Sequence, residues 1–426
     1  MRFLLLFLLL PFVLHAAEKD GKQKLAPIHH IIVFYLENHT FDNLLGTFPG
    51  ADGLANAGNK AVQVDADGKP YVTLPHAMVD HKPDPRFPEK LPNEPFLISQ
   101  YVPAQDATGD LLHRFYQNID QINNGAMNKF ALVSDAGALT MGYYTEEDLP
   151  LWQYARAYTL ADHFFVGAYG GSLLNHFWLI CACTPRYENA PEKIRAVLDD
   201  KGHMVRDGAL SPDGYAVNNI QPFSLPYDPK ASDPATRLPL QTLPTIGDRL
   251  SEKGINWAWY GGEWDDAVAG KLQRFPYHHH PFPYFANYAA GTKGRKEHLK
   301  DEKDFITGIE QGKLPPVTFF KPSARYDLHP GYSKLKESEV HVFDLINKIE
   351  KSPLWKDSLI IVTFDDAGGY WDHVPPPQGR PLRPRRAHPH ADYLPLRQTR
   401  LRRSHDLRHH IYSEADRNQV RHQTVR

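Results

Sequence analysis

Two stretches of this chain lose the helical or alternating pattern and become short, continuous, β-branched apolar runs. "HHIIVFYLEN" ends at Glu37-Asn38, and "SLIIVTFDD" ends at Asp365-Asp366. A run of this kind fits a strand buried on both faces, as in a parallel sheet covered by helices. Between the runs the pattern becomes helical. "DLLHRFYQNIDQIN" predicts a helix carrying His113, "PLWQYARAYTLADHFF" a helix and connection, "TIGDRLSEKG" a helix before a strand, and "EVHVFDLINKIEKSP" a helix that stops near Pro353. Strands alternating with helices predict an α/β fold with a largely parallel central sheet flanked by helices. Residues from about 59 to 103, rich in Pro, Asp and Lys with little period, predict a long ordered surface insertion.

In open α/β sheets, ligands gather outside the carboxyl ends of the strands. Glu37, Asn38, Asp365 and Asp366 therefore point toward one crevice. One such pair alone is more often a turn or a helix cap, but two matching pairs make a hard-oxygen set of the kind that holds a divalent cation. "YGGSLLNH" places Ser172 behind two glycines at the start of a helix, where free amides and the helix dipole favour an anion. A serine there can attack a phosphoryl group; an ordinary turn with Ser172 as the cap is the plainer alternative. Histidines gather at His278, His279 and His280 in "FPYHHHPF", at His329 in "DLHPG", and beside Asp372 at His373. Such residues can bind metal, hydrogen-bond phosphate or protonate a leaving group. His176 and His280 are read as inert.

The chain has 426 residues, ample for one large domain with insertions. Arg2, the run "FLLLFLLLPFVL" and then Ala16-Ala17 have the form of a secretory signal over residues 1–17, so export to the periplasm or medium is expected. Cys181 and Cys183 are the two cysteines; being two residues apart, they are read as free or packed thiols. A formal net charge of −2 favours no particular partner. From Arg380 onward, however, there are 12 arginines, no lysine and four acidic residues. That tail has neither aromatic interleaving nor amphipathic period, so no nucleic-acid partner is expected from it.

"HIIVFYLENHTFDNLLGTFPGADG", "LADHFF…GGSLLNH", "YHHHPF" and "LIIVTFDDAGGYWDHVPPP" together resemble the signature segments of the bacterial phosphoesterase family that contains exported acid phosphatases and non-haemolytic type phospholipases C. The resemblance runs from about Ile28 to Pro377 and implies an alkaline-phosphatase-like α/β core with loop insertions. It further implies Glu37, Asn38, Asp365 and Asp366 as ligands of a divalent metal, Ser172 as nucleophile, and His113, His278, His279 and His329 as phosphate-binding or proton-transfer residues. Gly-Gly-Ser at the nucleophile resembles the acid phosphatase branch, whereas the phospholipase branch usually carries a Thr after Gly-Pro. The implied substrate is a phosphate monoester. A phosphodiester, with membrane lipid as partner, is the alternative; the oligomeric state is left open.

The family pattern breaks after "WDHVPPP". The codes permitted from His388 and from Leu401, read one base on, can spell the apolar strand and the Asp-His-Thr segment that the family carries next. The expectation is a catalytic domain over residues 25–377, incomplete at its C-terminus, followed by an out-of-frame tail over 378–426 produced by a frameshift near Gln378 to Arg380. An inactive product of a damaged gene is thus a further reading.

Overall fold

The computed structural model describes residues 28–228, 233–272 and 275–377. The proposed leader and the arginine-rich tail lie outside the described residues. In chain order the elements that position the site are strand β1 (His30–Leu36), helices α1 (Phe41–Leu45), α2 (Phe115–Ile122), α3 (Leu151–Ala157), α4 (Ser172–Cys181) and α5 (Ile246–Glu252), then strands β2 (Trp257–Gly261) and β3 (Leu299–Asp301). Helix α6 (Glu302–Gln311), strand β4 (Val317–Lys321), helix α7 (Leu335–Glu350) and strand β5 (Ser358–Phe364) complete the set. The five strands form one sheet in the order β3-β2-β4-β1-β5, with every pair parallel.

The interior position of β1, between β4 and β5, explains its unbroken apolar run. Ile32, Phe34 and Leu36 pack on one face with Phe305 and Ile309 of α6 and Val342, Phe343 and Ile346 of α7. Val33 and Tyr35 point the other way, into Leu173, Phe177 and Ile180 of α4 and the tryptophans of β2. Since successive side chains alternate between faces, both faces must be apolar here. Each fully buried Ile or Phe contributes roughly 1.5–3 kcal/mol.

Strand β5 departs from the expectation of burial on both faces. It pairs with β1 from Ser358 to Phe364 and with no further strand among the described residues. Ile360 to Phe364 are in consequence only partly buried, and Leu359 is exposed. The run is as apolar as β1 yet lies at an edge.

Two local expectations also change. Helix α2 begins at Phe115, after His113. Leu112 N–H donates to Asp135 and Phe115 N–H to Asn218, and these bonds hold the preceding segment extended. The cysteines are joined in a disulfide. Helix α4 ends at Cys181, Ala182 takes a left-handed conformation, and the turn brings the two Cα atoms to 5.1 Å, within the range a bridge needs. The 59–103 segment holds two-residue strands and single 3-10 turns between irregular stretches, and its Leu74, Phe87, Leu91 and Ile98 enter the main core.

Glu339 on α7 is buried and accepts from the Leu151 N–H at 2.9 Å. Burial raises its carboxyl to about 8, against the opposing effect of that bond. The folded chain therefore retains a proton that the unfolded chain, near 4.5, releases. This contribution is complete below pH 4.5 and is lost as pH rises toward 8. Glu339→Gln should match wild type in thermal midpoint at pH 4.5 and exceed it at pH 8; equal midpoints at both would refute the assignment.

Candidate functional site

The loops at the carboxyl ends of four neighbouring strands supply the site. Glu37 and Asn38 follow β1, Asp365 and Asp366 follow β5, Lys321 is the last residue of β4, and Asp327 and His329 lie in the loop beyond it. His278 and His279 occupy the 3-10 turn Tyr277–His279, after β2. Ser172 comes from outside the sheet, as the first residue of α4, with Gly171 as the cap.

Both glycines before Ser172 are needed for this approach. Gly170 has φ +95°, and a Cβ there would meet Phe115 Cα at 2.8 Å; a Cβ on Gly171 would meet the His113 carbonyl oxygen at 2.8 Å. The chain carrying His113 is thus pressed against the start of α4. His113 Nε2 lies 3.2 Å from the Asn38 carboxamide, and its ring centroid is 5.4 Å from that of His329. Asn38 itself has φ 66°, a left-handed conformation that Asn tolerates better than most residues and that is common at functional sites.

At the centre, Ser172 Oγ is 3.0 Å from Glu37 Oε2, 3.2 Å from Asp366 Oδ2 and 3.4 Å from Asn38 Oδ1. Glu37, Asn38, Ser172, Asp365 and Asp366 are all buried, at 0–2 % exposure. One hydroxyl proton cannot serve three acceptors. Asp365 Oδ2 and His176 Nε2 have no hydrogen-bond partner, although such buried groups normally find one. If the Asn38 amide is turned over, its nitrogen donates to Glu37 Oε2 at 2.8 Å and Asp365 Oδ1 at 3.0 Å while its oxygen accepts from His113 and His329. With the oxygen inward instead, four oxygen-bearing side chains converge without enough donors among them, which is the arrangement a hard divalent cation satisfies.

The charges agree. Burial pushes the carboxyls of Asp365 and Asp366 well above the usual range, and repulsion from Glu37 adds to it. Burial acts on Glu37 in the same direction, but the Lys321 ammonium paired with its Oε1 opposes that and holds the carboxyl well below its ordinary value. Burial also disfavours the charged form of three of the site imidazoles. It lowers His278 to about 4, lowers His329, next to His113, to about 3, and places His279 well below its ordinary value.

The structure brings together Glu37, Asn38, Ser172, Asp365, Asp366, His113, His278, His279 and His329. Three neighbours escaped the sequence reading. Lys321, wholly buried, forms an ion pair with Glu37 Oε1. Asp327 Oδ2 lies 3.7 Å from His279 Nδ1. His176, read as inert, is four residues along α4 from Ser172 and hence on its face; its Nδ1 bonds the Ser172 carbonyl at 2.7 Å and lies 3.7 Å from Asp365 Oδ2. Ligand atoms of Glu37, His176 and Asp365 lie within 4.8 Å of one another. Lys321 ends an apolar run, "VTFF", as Glu37 and Asp365 do, so the strand-end rule applied to it equally. His280 stacks on Trp264 and Phe275.

His373 and Asp372 form a separate cluster. The His373 ring spans Asp42 Oδ2 at 2.7 Å and Asp52 Oδ1 at 3.1 Å, tying the segment after β5 to α1 and its following loop. Burial disfavours the imidazolium, but Asp42 and then Asp52 raise it to about 9. The stabilisation is complete below pH 6.5 and is lost as pH climbs through about 9. His373→Gln should therefore abolish a decline in thermal midpoint between pH 6.5 and 9; an unchanged slope would count against the clamp.

Phospholipase C A of Mycobacterium tuberculosis (strain CDC 1551 / Oshkosh) is 23 % identical over 380 residues, covering 84 % of this chain and 62 % of the relative. Non-hemolytic phospholipase C of Pseudomonas aeruginosa is 23 % identical over 366 residues, covering 85 % and 44 %. Non-specific phospholipase C3 of Arabidopsis thaliana is 21 % identical over 381 residues, covering 84 % and 58 %. The chain thus spans less than two thirds of the length of each. The Phosphoesterase family model matches residues 28–402, starting where the resemblance was expected to start and running past Pro377. With that match over most of its length, the chain belongs to the phosphoesterase family.

Proposed function

We propose that this chain is an exported, metal-dependent hydrolase of phosphate monoesters, of the acid phosphatase kind, with Ser172 as nucleophile. The observation that carries the reading is the position of Ser172 Oγ, 3.0 Å from Glu37 and 3.2 Å from Asp366 at the first residue of α4. Glu37, Asn38, Asp365 and Asp366 would hold a divalent ion, which supplies positive charge beside the serine oxygen and the phosphoryl group. Ser172 gives up its proton to a neighbouring carboxylate, and its Oγ bonds to phosphorus as the bond to the leaving alcohol breaks. His113, His278 and His329 face the phosphoryl oxygens and the leaving group. Because burial leaves His278 and His329 neutral, the negative charge of bound substrate is what would draw a proton onto one of them for delivery to the alcohol. Water then cleaves the phosphoserine. Export rests on the leader over residues 1–17, and among the described residues no helix is long and apolar enough to cross a membrane.

The names of the relatives favour a second reading, in which a phospholipid diester is cleaved. Purified full-length chain, supplied with divalent ions, should release phosphate from an aryl phosphate and leave phosphatidylcholine intact. Faster cleavage of phosphatidylcholine would transfer the assignment to phospholipase C. A cooperatively folding chain that hydrolyses neither ester would identify the inactive product of a damaged gene.

A further inference from the structure

The two oxygens of Glu37 serve different neighbours. Oε2 faces Ser172 and the candidate metal ligands. Oε1 faces the opposite way, paired with the Lys321 ammonium and 3.2 Å from His279 Nε2. Lys321 is completely buried, and the Tyr35 ring, 5.4 Å from Nζ, lies where a cation–π contact can help hold it. Around this ammonium are groups that ligate metals. Neither ring nitrogen of His279 makes a hydrogen bond, and Nδ1 lies 3.7 Å from Asp327 Oδ2. Asp327 is buried, and its backbone carbonyl accepts from the Glu37 N–H at 2.8 Å. A bridging carboxylate, an imidazole and a second carboxylate are the usual ingredients of the second position in a two-metal phosphoester site.

We propose that Lys321 is a positioning residue that occupies the place of a second cation and restricts this centre to one divalent ion. Four buried carboxylates, Glu37, Asp327, Asp365 and Asp366, require several compensating positive charges. Lys321 contributes one that cannot dissociate, and it withholds Glu37 Oε1 and His279 from a second metal. Arg could keep the charge but not the compact ammonium geometry; a neutral residue would release the oxygen, the imidazole and the charge deficit together.

The proposal rests on the metal reading above, and the experiment separates the two. Full-length wild type, Lys321→Met, His279→Ala and the double variant are equilibrated with Mn²⁺ alone, and bound metal per chain is measured by mass spectrometry, with circular dichroism recording the fold. Wild type should bind one Mn²⁺, Lys321→Met two, and the double variant one. His279→Ala in the wild-type background should also bind one, with affinity changed less than threefold, because an ammonium rather than a metal adjoins His279 there. A folded Lys321→Met with one ion overturns the role of Lys321. Should Lys321→Met fail to fold, His279→Ala decides: loss of its Mn²⁺, or a tenfold weaker affinity, overturns the proposal, and retention supports it. A folded wild type that binds no Mn²⁺ overturns the metal reading itself and the role of Lys321 with it.

Discussion

Ser172→Ala is expected to lower aryl phosphate turnover by about 10³-fold or more, the scale on which removal of a covalent nucleophile acts. The KM should change far less, because the phosphoryl oxygens would still meet His113, His278 and His329. The substitution also removes the hydroxyl shared by Glu37 and Asp366. Leaving a buried acceptor without its donor costs about 1–3 kcal/mol, so a modest fall in thermal midpoint should accompany the loss of turnover. The helix start itself should survive, since Gly171 supplies the cap and Ala is a good helix former. Phosphate trapped on the wild-type chain by acid quench, and absent from the variant, would identify the intermediate. Wild-type turnover in a folded Ser172→Ala would end the nucleophile assignment.

The sequence revealed most where a local pattern carried a long-range consequence. A parallel strand in mid-sheet must be apolar on both sides, so "HIIVFYL" announced β1, and the polar pair after it announced a strand end. The same logic located Asp365 and Asp366. Neighbour relations were not legible in this way. Lys321 meets Glu37 because β4 lies beside β1, across a separation of 284 residues, and strand order is not written in any single run. His113 appeared helical because "DLLH" has helical composition, whereas Asp135 holds Leu112 in an extended segment. His176 looked like one more apolar-face histidine until its helix phase with Ser172 was fixed. The disulfide depended on Ala182 adopting a conformation that alanine seldom takes. The edge position that β5 takes among the described residues was not legible in its own composition, which is that of a central strand. Among those residues β1 is its partner, and Gly368 N–H bonded to Asp366 Oδ1 and Asn38 N–H to Asp365 Oδ1 act as local restraints on the loop carrying Asp365 and Asp366.

Replacing Asp365 and Asp366 together by Asn should reverse the effect of metal on stability. In the metal-free protein these carboxylates are buried beside Glu37, and burial with mutual repulsion disfavours their ionised forms. Removing both relieves that repulsion, so the metal-free variant should melt above metal-free wild type at pH 7. Metal acts in the opposite direction. A ligand bound only by the folded chain stabilises it by RT ln(1 + [L]/Kd), or about 2.7 kcal/mol at a hundredfold excess over Kd. Wild type should therefore gain several degrees from a saturating divalent ion, while the double variant, with one of three carboxylates left among the four proposed ligands, should gain little. Its turnover should fall at least as far as that of Ser172→Ala, because the serine would lose the charge that makes its deprotonation affordable. Thermal melts of both proteins, with chelator and with added Mn²⁺, measure all four states. Equal metal-induced shifts would remove Asp365 and Asp366 from the metal site, and a double variant less stable than wild type without metal would show that their hydrogen bonds to the Asn38 and Gly368 amides outweigh the repulsion between them.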